Sequence, residues 1–256
     1  MRWFDTHCHL DRLPADVAVD MVLQRAVAAG VRKILVPGVA GAVRLPSAAA
    51  ACENIKIVTA WGVHPDFVAV AGADAKIGVI PDWKERSVPV AIGECGLDRR
   101  LALPISRQEE VFDWQLQIAR SYDLPVIVHL VGHGQRALKM LQNAALPRGF
   151  IMHSYSGSPE MAVEFVAAGG FISLSAASLR NRGKLQKMLA LLPLSALLLE
   201  TDAPDMMLPG WHGRCNEPAA VAAIGVQVAE ICGLPVEKLA EVVYTNALRI
   251  FALKDE

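Results

Sequence analysis

Six residues of this chain have the side chains and the spacing to hold divalent metal. His7 and His9 stand two apart in Asp5-Thr6-His7-Cys8-His9. On an extended strand they point to one side and Cys8 to the other. Glu94 follows Val90-Ala91-Ile92-Gly93, His129 follows Val126-Ile127-Val128, and His153 follows Phe150-Ile151-Met152. Asp202 follows Leu197-Leu198-Leu199-Glu200-Thr201, with Glu200 two residues earlier on the same side. Brought together without a cation, the carboxylates would repel and the half-buried imidazoles would lack partners. A divalent ion meets both demands, and mixed nitrogen and oxygen ligation suits Zn, Mn or Fe. Glu94 is the candidate to bridge two such ions. A metal lowers the pKa of its water from about 15.7 toward roughly 7, giving hydroxide at neutral pH. Asp202 is then the candidate base for the remaining proton. The chemistry is hydrolysis.

Each residue alone has a plainer reading. A His-x-His pair is common, a lone His129 or His153 can be a hydrogen-bonded core histidine, and Glu94 can cap a helix. Asp202 before Ala203-Pro204 can stabilise a turn. The joint pattern, six metal-competent residues at the ends of five apolar runs, is what chance does not supply. His64, in Gly62-Val63-His64-Pro65, also follows such a run and is a candidate substrate contact, with turn capping as the alternative. Glu200 is a second candidate substrate contact. Trp211 is either a base-stacking platform or a loop tryptophan packed on its neighbours.

The elements that must position these residues recur regularly. Apolar runs at Arg2–Thr6, Lys33–Pro37, Ile57–Gly62, Pro89–Gly93, Pro125–His129, Gly149–His153, Gly170–Leu174 and Ala196–Glu200 read as strands. Their mean spacing of about 28 residues is that of one βα unit. Nearly continuous apolarity, as in Leu197-Leu198-Leu199, marks strands covered on both faces. Helical spacing fills Asp16–Ala29, Ser106–Tyr122 (with a Ser106/Glu109 capping box), Ser158–Ala168, Glu217–Ile231 and Val236–Phe251. With no linker or repeat dividing residues 1–256, the expected fold is a single-domain α/β (β/α)8 barrel, whose strand ends share one rim. The alternative is an open doubly wound sheet, but its glycine-rich phosphate fingerprint is missing.

Composition narrows the function further. The 256 residues are 53% hydrophobic, with 25 basic and 26 acidic side chains and a net charge of −1. That balance lacks the basic stripe of a protein that tracks long duplexes, and fits a small phosphoester or a nucleic-acid end. No run approaches the roughly 18 apolar residues of a membrane span. The five cysteines, at 8, 52, 95, 215 and 232, form no Cys-x-x-Cys pair, so reduced thiols in a cytoplasmic monomer are expected.

The chain closely resembles the TatD-related deoxyribonucleases of the amidohydrolase superfamily. The matching motifs are Phe4-Asp5-Thr6-His7-Cys8-His9-Leu10-Asp11, Gly62-Val63-His64-Pro65, Ala91-Ile92-Gly93-Glu94-Cys95-Gly96-Leu97-Asp98 and Leu124-Pro125-Val126-Ile127-Val128-His129. His153-Ser154-Tyr155-Ser156-Gly157-Ser158, Leu199-Glu200-Thr201-Asp202-Ala203-Pro204 and Thr245-Asn246 complete the set, in the family's order. The resemblance implies a distorted (β/α)8 barrel with His7, His9, Glu94, His129, His153 and Asp202 as ligands. It further implies one to three divalent ions at the rim, of which two are expected here with Mg or Mn joining Zn as candidates, and 3′–5′ exonucleolytic cleavage of DNA. The family usually has arginine two positions after the fifth-strand histidine, where this chain has Val131. Arg99 or Arg100 is the candidate replacement. Amidohydrolase barrels also cleave esters and amides, so an aminoacyl-tRNA deacylase is the alternative, and a metal-containing binding protein without turnover is a third reading.

Overall fold

The apolar runs pair into one parallel sheet that closes on itself. A computed structural model describes residues 1–68, 83 and 88–255. Its first half contains β1 (Trp3–Asp5), α1 (Val19–Ala28), β2 (Val31–Val36), β3 (Ala40–Ala42), α2 (Ser47–Ala50), β4 (Lys56–Val63), β5 (Ala91–Asp98) and α3 (Ile105–Ser121). Then come β6 (Val126–Val131), α4 (Gly134–Ala144), β7 (Phe150–Met152), α5 (Pro159–Ala167), β8 (Gly170–Leu174), α6 (Ala176–Leu179), α7 (Arg182–Leu191), β9 (Leu197–Leu199), α8 (Ala220–Cys232) and α9 (Val236–Ile250). The sheet order is β1-β2-β4-β5-β6-β7-β8-β9, all parallel. Beyond β9 the chain returns to β1. Thr6 N donates to Leu199 O at 3.2 Å, His9 N donates to Ala203 O at 2.7 Å, and Cys8 bridges Ala203 in parallel. That is a (β/α)8 barrel, and the open-sheet alternative is excluded.

Side-chain alternation sorts the strands into two layers. Phe4, Leu35, Val58, Ala60, Ala91, Ile127, Ile151 and Leu198 fill the interior, with Tyr244, Ala247, Ile250 and Phe251 of the α9 segment packed on them. Trp3, Val36, Ile92, Val126, Val128, Met152, Leu197 and Leu199 instead face the surrounding helices. Ile127 is two residues before His129 and Ile151 two before His153. The interior layer therefore lies directly beneath the rim.

Three local expectations change. β3, which none of the expected strands covers, pairs antiparallel with β4. β5 continues past Gly93 to Asp98, because the strand resumes pairing with β6 after a register shift between Ile92 and Cys95. The Ser106/Glu109 capping box does not form: α3 starts at Ile105 with Pro104 as its N-cap, which leaves Ser106 inside the first turn. Ser158, by contrast, caps α5 by accepting from Met161 N at 3.2 Å.

Candidate metal centre

Glu94 lies at the middle of the rim, and each of its oxygens faces a different group of donors. Glu94 Oε2 is 3.3 Å from His7 Nε2 and 3.6 Å from His9 Nε2. Asp202 Oδ1 closes that group at 3.8 Å from His7 Nε2 and 3.9 Å from His9 Nε2. Glu94 Oε1 is 2.8 Å from His129 Nδ1, 3.5 Å from His64 Nε2 and 3.6 Å from His153 Nε2. All six expected ligands thus meet at one place, and His64 joins them. His64 was expected to face the substrate, yet it stands in the donor group around Oε1, with its Nδ1 accepting from Asp66 N at 3.1 Å.

The backbone explains how the chain brings these groups so close. Gly93 holds φ +135°, and a Cβ there would lie 2.5 Å from Ile127 O. Gly96 holds φ +146°, and its Cβ would lie 2.0 Å from His129 O. Only glycine lets β5 press against β6 on both sides of Glu94. Asp202 holds φ +58°, unusual for a residue with a side chain, while its N–H donates to His7 O at 2.9 Å.

A second layer of side chains orients the first. His153 Nδ1 is 2.8 Å from Glu200 Oε1, which also accepts from Ser154 N at 2.6 Å. Glu200 is fully buried. Sequence parity placed it beside Asp202 facing the substrate, whereas the structure places it behind His153. His129 Nε2 is 3.0 Å from Asp98 Oδ2, and Arg100 grips the same carboxylate. Buried Asp5 accepts from Thr201 N at 2.9 Å and is 2.5 Å from Thr201 Oγ1, tying β1 to the segment that carries Asp202. Sequence reasoning gave no role to Asp98 or Asp5. The available signal was parity: Asp98 is in step with Glu94 on β5, and Asp5 with His7 and His9.

Arg99 is exposed, with its side-chain stem lying where a Cβ on Gly132 would be. Arg136 is paired with Glu109 at 2.7 Å. Trp211 is half-buried against the core, so packing on neighbours accounts for it. Cys8 and Cys95 are buried in the outer layer, with the side chains that face the helices.

The electrostatics are those of a cation site. Burial, then the charge of His153, lowers His7 to about 4. Burial lowers His64 to about 4. Burial opposes protonation of His153, but Glu200, Asp202 and Glu94 together raise it to about 10. Burial raises Asp202 to about 7, with Glu94 and Glu200 adding to it. Burial would also raise Glu94, but the neighbouring histidines hold it well below the usual range. His7 Nε2 and His9 Nε2 face each other at 3.2 Å, two lone-pair atoms in need of a shared cation or a proton. Three groups of ligand atoms, His7–His9–Glu94, His64–Glu94–His129 and His7–His153–Glu200, are compact enough to grip an ion. The residues present therefore fit divalent metal.

A closed (β/α)8 barrel with a carboxylate-centred histidine cluster at its rim is the architecture of a metal-dependent hydrolase. Comparison with known proteins agrees. Residues 4–252 match the model of the TatD related DNase family, and the chain belongs to that family. It is 36% identical over 255 residues to the metal-dependent hydrolase YjjV of Escherichia coli, covering 98% of each chain. It is 32% identical over 262 residues to the human deoxyribonuclease TATDN3, covering 96% of this chain and 93% of that one. The crystal structure of the E. coli YjjV superposes with a TM-score of 0.86 at 33% identity, covering 99% of each chain. The protein is a metal-dependent hydrolase of the TatD family.

Proposed function

We propose that the chain hydrolyses phosphodiesters at nucleic-acid ends, releasing nucleotides in the 3′–5′ direction with two divalent ions bound. The observation that carries this reading is Glu94 itself, a buried carboxylate presenting one oxygen to His7 and His9 and the other to His64, His129 and His153. His7, His9 and Asp202 on one side of Glu94, and His64, His129 and His153 on the other, would hold divalent metal, which would supply the Lewis acidity that phosphodiester hydrolysis needs. Relatives named deoxyribonucleases support the choice of bond.

Bound here, divalent ions supply Lewis acidity to the phosphoryl oxygen and make a water more acidic. The chain's own residues do the rest. Asp202, whose Oδ1 stands beside His7 and His9, accepts the water's proton. Glu200 holds the His153 ring by its Nδ1 side, leaving Nε2 facing the cluster. Asp98, gripped by Arg100, fixes His129 in the same manner. Arg99, exposed beside Gly132 at the rim, is placed to meet a phosphate of the strand.

The test is metal-loaded protein on single-stranded DNA labelled at either end, run beside an ester and a cyclic amide. Stepwise loss from the 3′ end is expected. Turnover of the ester or amide with DNA untouched would instead establish the deacylase-type alternative.

A further inference from the structure

Beside His153 the rim opens into a cavity of about 400 Å3. It lies between the end of β6 and the starts of α4 and α5. Its walls are Leu130, Val131, Met152, Met161, Phe165 and Tyr155, and His153 forms the side nearest the metal ligands. The volume is that of a small-ligand site, roughly 300–1,000 Å3.

Charge separates the possible occupants. Apart from His153, whose ring nitrogens face Glu200 and the Glu94 cluster, no cationic side chain among the described residues lines the cavity. Arg136 on α4 is paired with Glu109, and Lys184 donates to Ser156 O at 2.5 Å. The Tyr155 hydroxyl already donates to Ser158 O at 2.8 Å. Arg99, its stem packed against the lining Gly132, offers positive charge to a strand phosphate at the edge, while the apolar walls with Ser156 and Ser158 beside them suit a flat neutral ring.

We propose that this cavity seats the unpaired nucleobase of the terminal nucleotide whose phosphodiester lies at the Glu94 cluster. The proposal rests on the nuclease reading above and adds to it the part of the substrate that is recognised. It follows that a base must leave its stack and its partner to be cleaved, so frayed or single-stranded ends are preferred to blunt duplex ends.

The experiment compares two single-stranded oligonucleotides, one ending in an ordinary 3′ nucleotide and one in a tetrahydrofuran abasic nucleotide, with metal-loaded protein at fixed salt. Base contacts of this kind are expected to favour the ordinary end in kcat/KM by about tenfold or more. Met161→Ala and Val131→Ala each remove part of one wall. Each should reduce that ratio at least about threefold, mainly through KM, with circular dichroism confirming the fold. Equal rates on the two ends in the unaltered protein would overturn the base pocket while leaving the nuclease reading standing. A large ratio that persists in both variants would place base recognition elsewhere and overturn it too. Cleavage of neither oligonucleotide would sink the nuclease reading, and the pocket proposal with it.

Discussion

Replacing Glu200 by glutamine removes one negative charge and leaves almost every atom in place. The carboxylate is fully buried, accepts from Ser154 N at 2.6 Å and stands 2.8 Å from His153 Nδ1. Its other oxygen, Oε2, has no hydrogen-bond partner among the described residues. Glutamine can keep the Ser154 contact through its carbonyl oxygen, so the fold should survive. What is lost is the anion that makes His153 a strong base, and hence a strong ligand through Nε2. Partners of this kind are worth about 10–100-fold in metal affinity, or roughly 1.4–2.7 kcal/mol. A competition titration against a chromophoric chelator at pH 7.5 reads the affinity directly, and thermal melting of the metal-free form checks the fold. Affinity within about twofold of the unaltered protein, at unchanged melting temperature, would refute the assignment of Glu200 as the group that positions His153.

Four further outcomes are expected. Metal uptake near pH 7 should release about one proton from His153 per protein molecule, measurable by calorimetry in buffers of different ionisation enthalpy. The sign follows from a metal-free value of about 10 against an ordinary 6.5: the His153 pairing stabilises the metal-free fold fully below about pH 6.5 and is lost as pH rises through 10. Asp202→Asn should lower kcat by about 10²–10⁴-fold with metal still bound, and retained turnover would remove Asp202 from the role of base. Burial raises Asp5 to about 8, so it is protonated at neutral pH; Asp5→Asn should cost under about 1 kcal/mol in denaturant titration, and Asp5→Ala roughly 3–5 kcal/mol by orphaning the Thr201 and His7 amides. Gly96→Ala should cost about 2–4 kcal/mol and weaken metal binding, since the added carbon meets His129 O.

Much of the barrel was legible because its strands announce themselves twice, as buried apolar runs and as carriers of a polar residue at one end. The candidate ligands came from that rule, since His7, His9, Glu94, His129, His153 and Asp202 each follow such a run. Parity failed at Glu200 because the chain turns through a positive φ at Asp202, so two residues in step along the sequence end on different sides of His153. His64 was harder to read because its role depends on closeness to Glu94 across a strand pair, which spacing along the chain does not encode. β3 was missed because Ala40-Gly41-Ala42 has no strand signature of its own, and β4 supplies its partner. The Ser106/Glu109 pair shows the opposite error, a local motif overridden when Pro104 caps the helix two residues earlier.

The interior layer under the rim has a consequence for when the protein becomes active. His129 and His153 stand above Ile127 and Ile151, and that column rests on Tyr244, Ala247 and Ile250 of α9, more than a hundred residues downstream of His129. During synthesis the first ligands leave the ribosome long before the floor that supports them. Early segments can offer metal only loose, mismatched histidines, and the compact set must wait for residue 250. Tight metal capture is therefore a marker of completed folding, and a chain stalled before α9 would be both unplugged at the base and unarmed at the mouth.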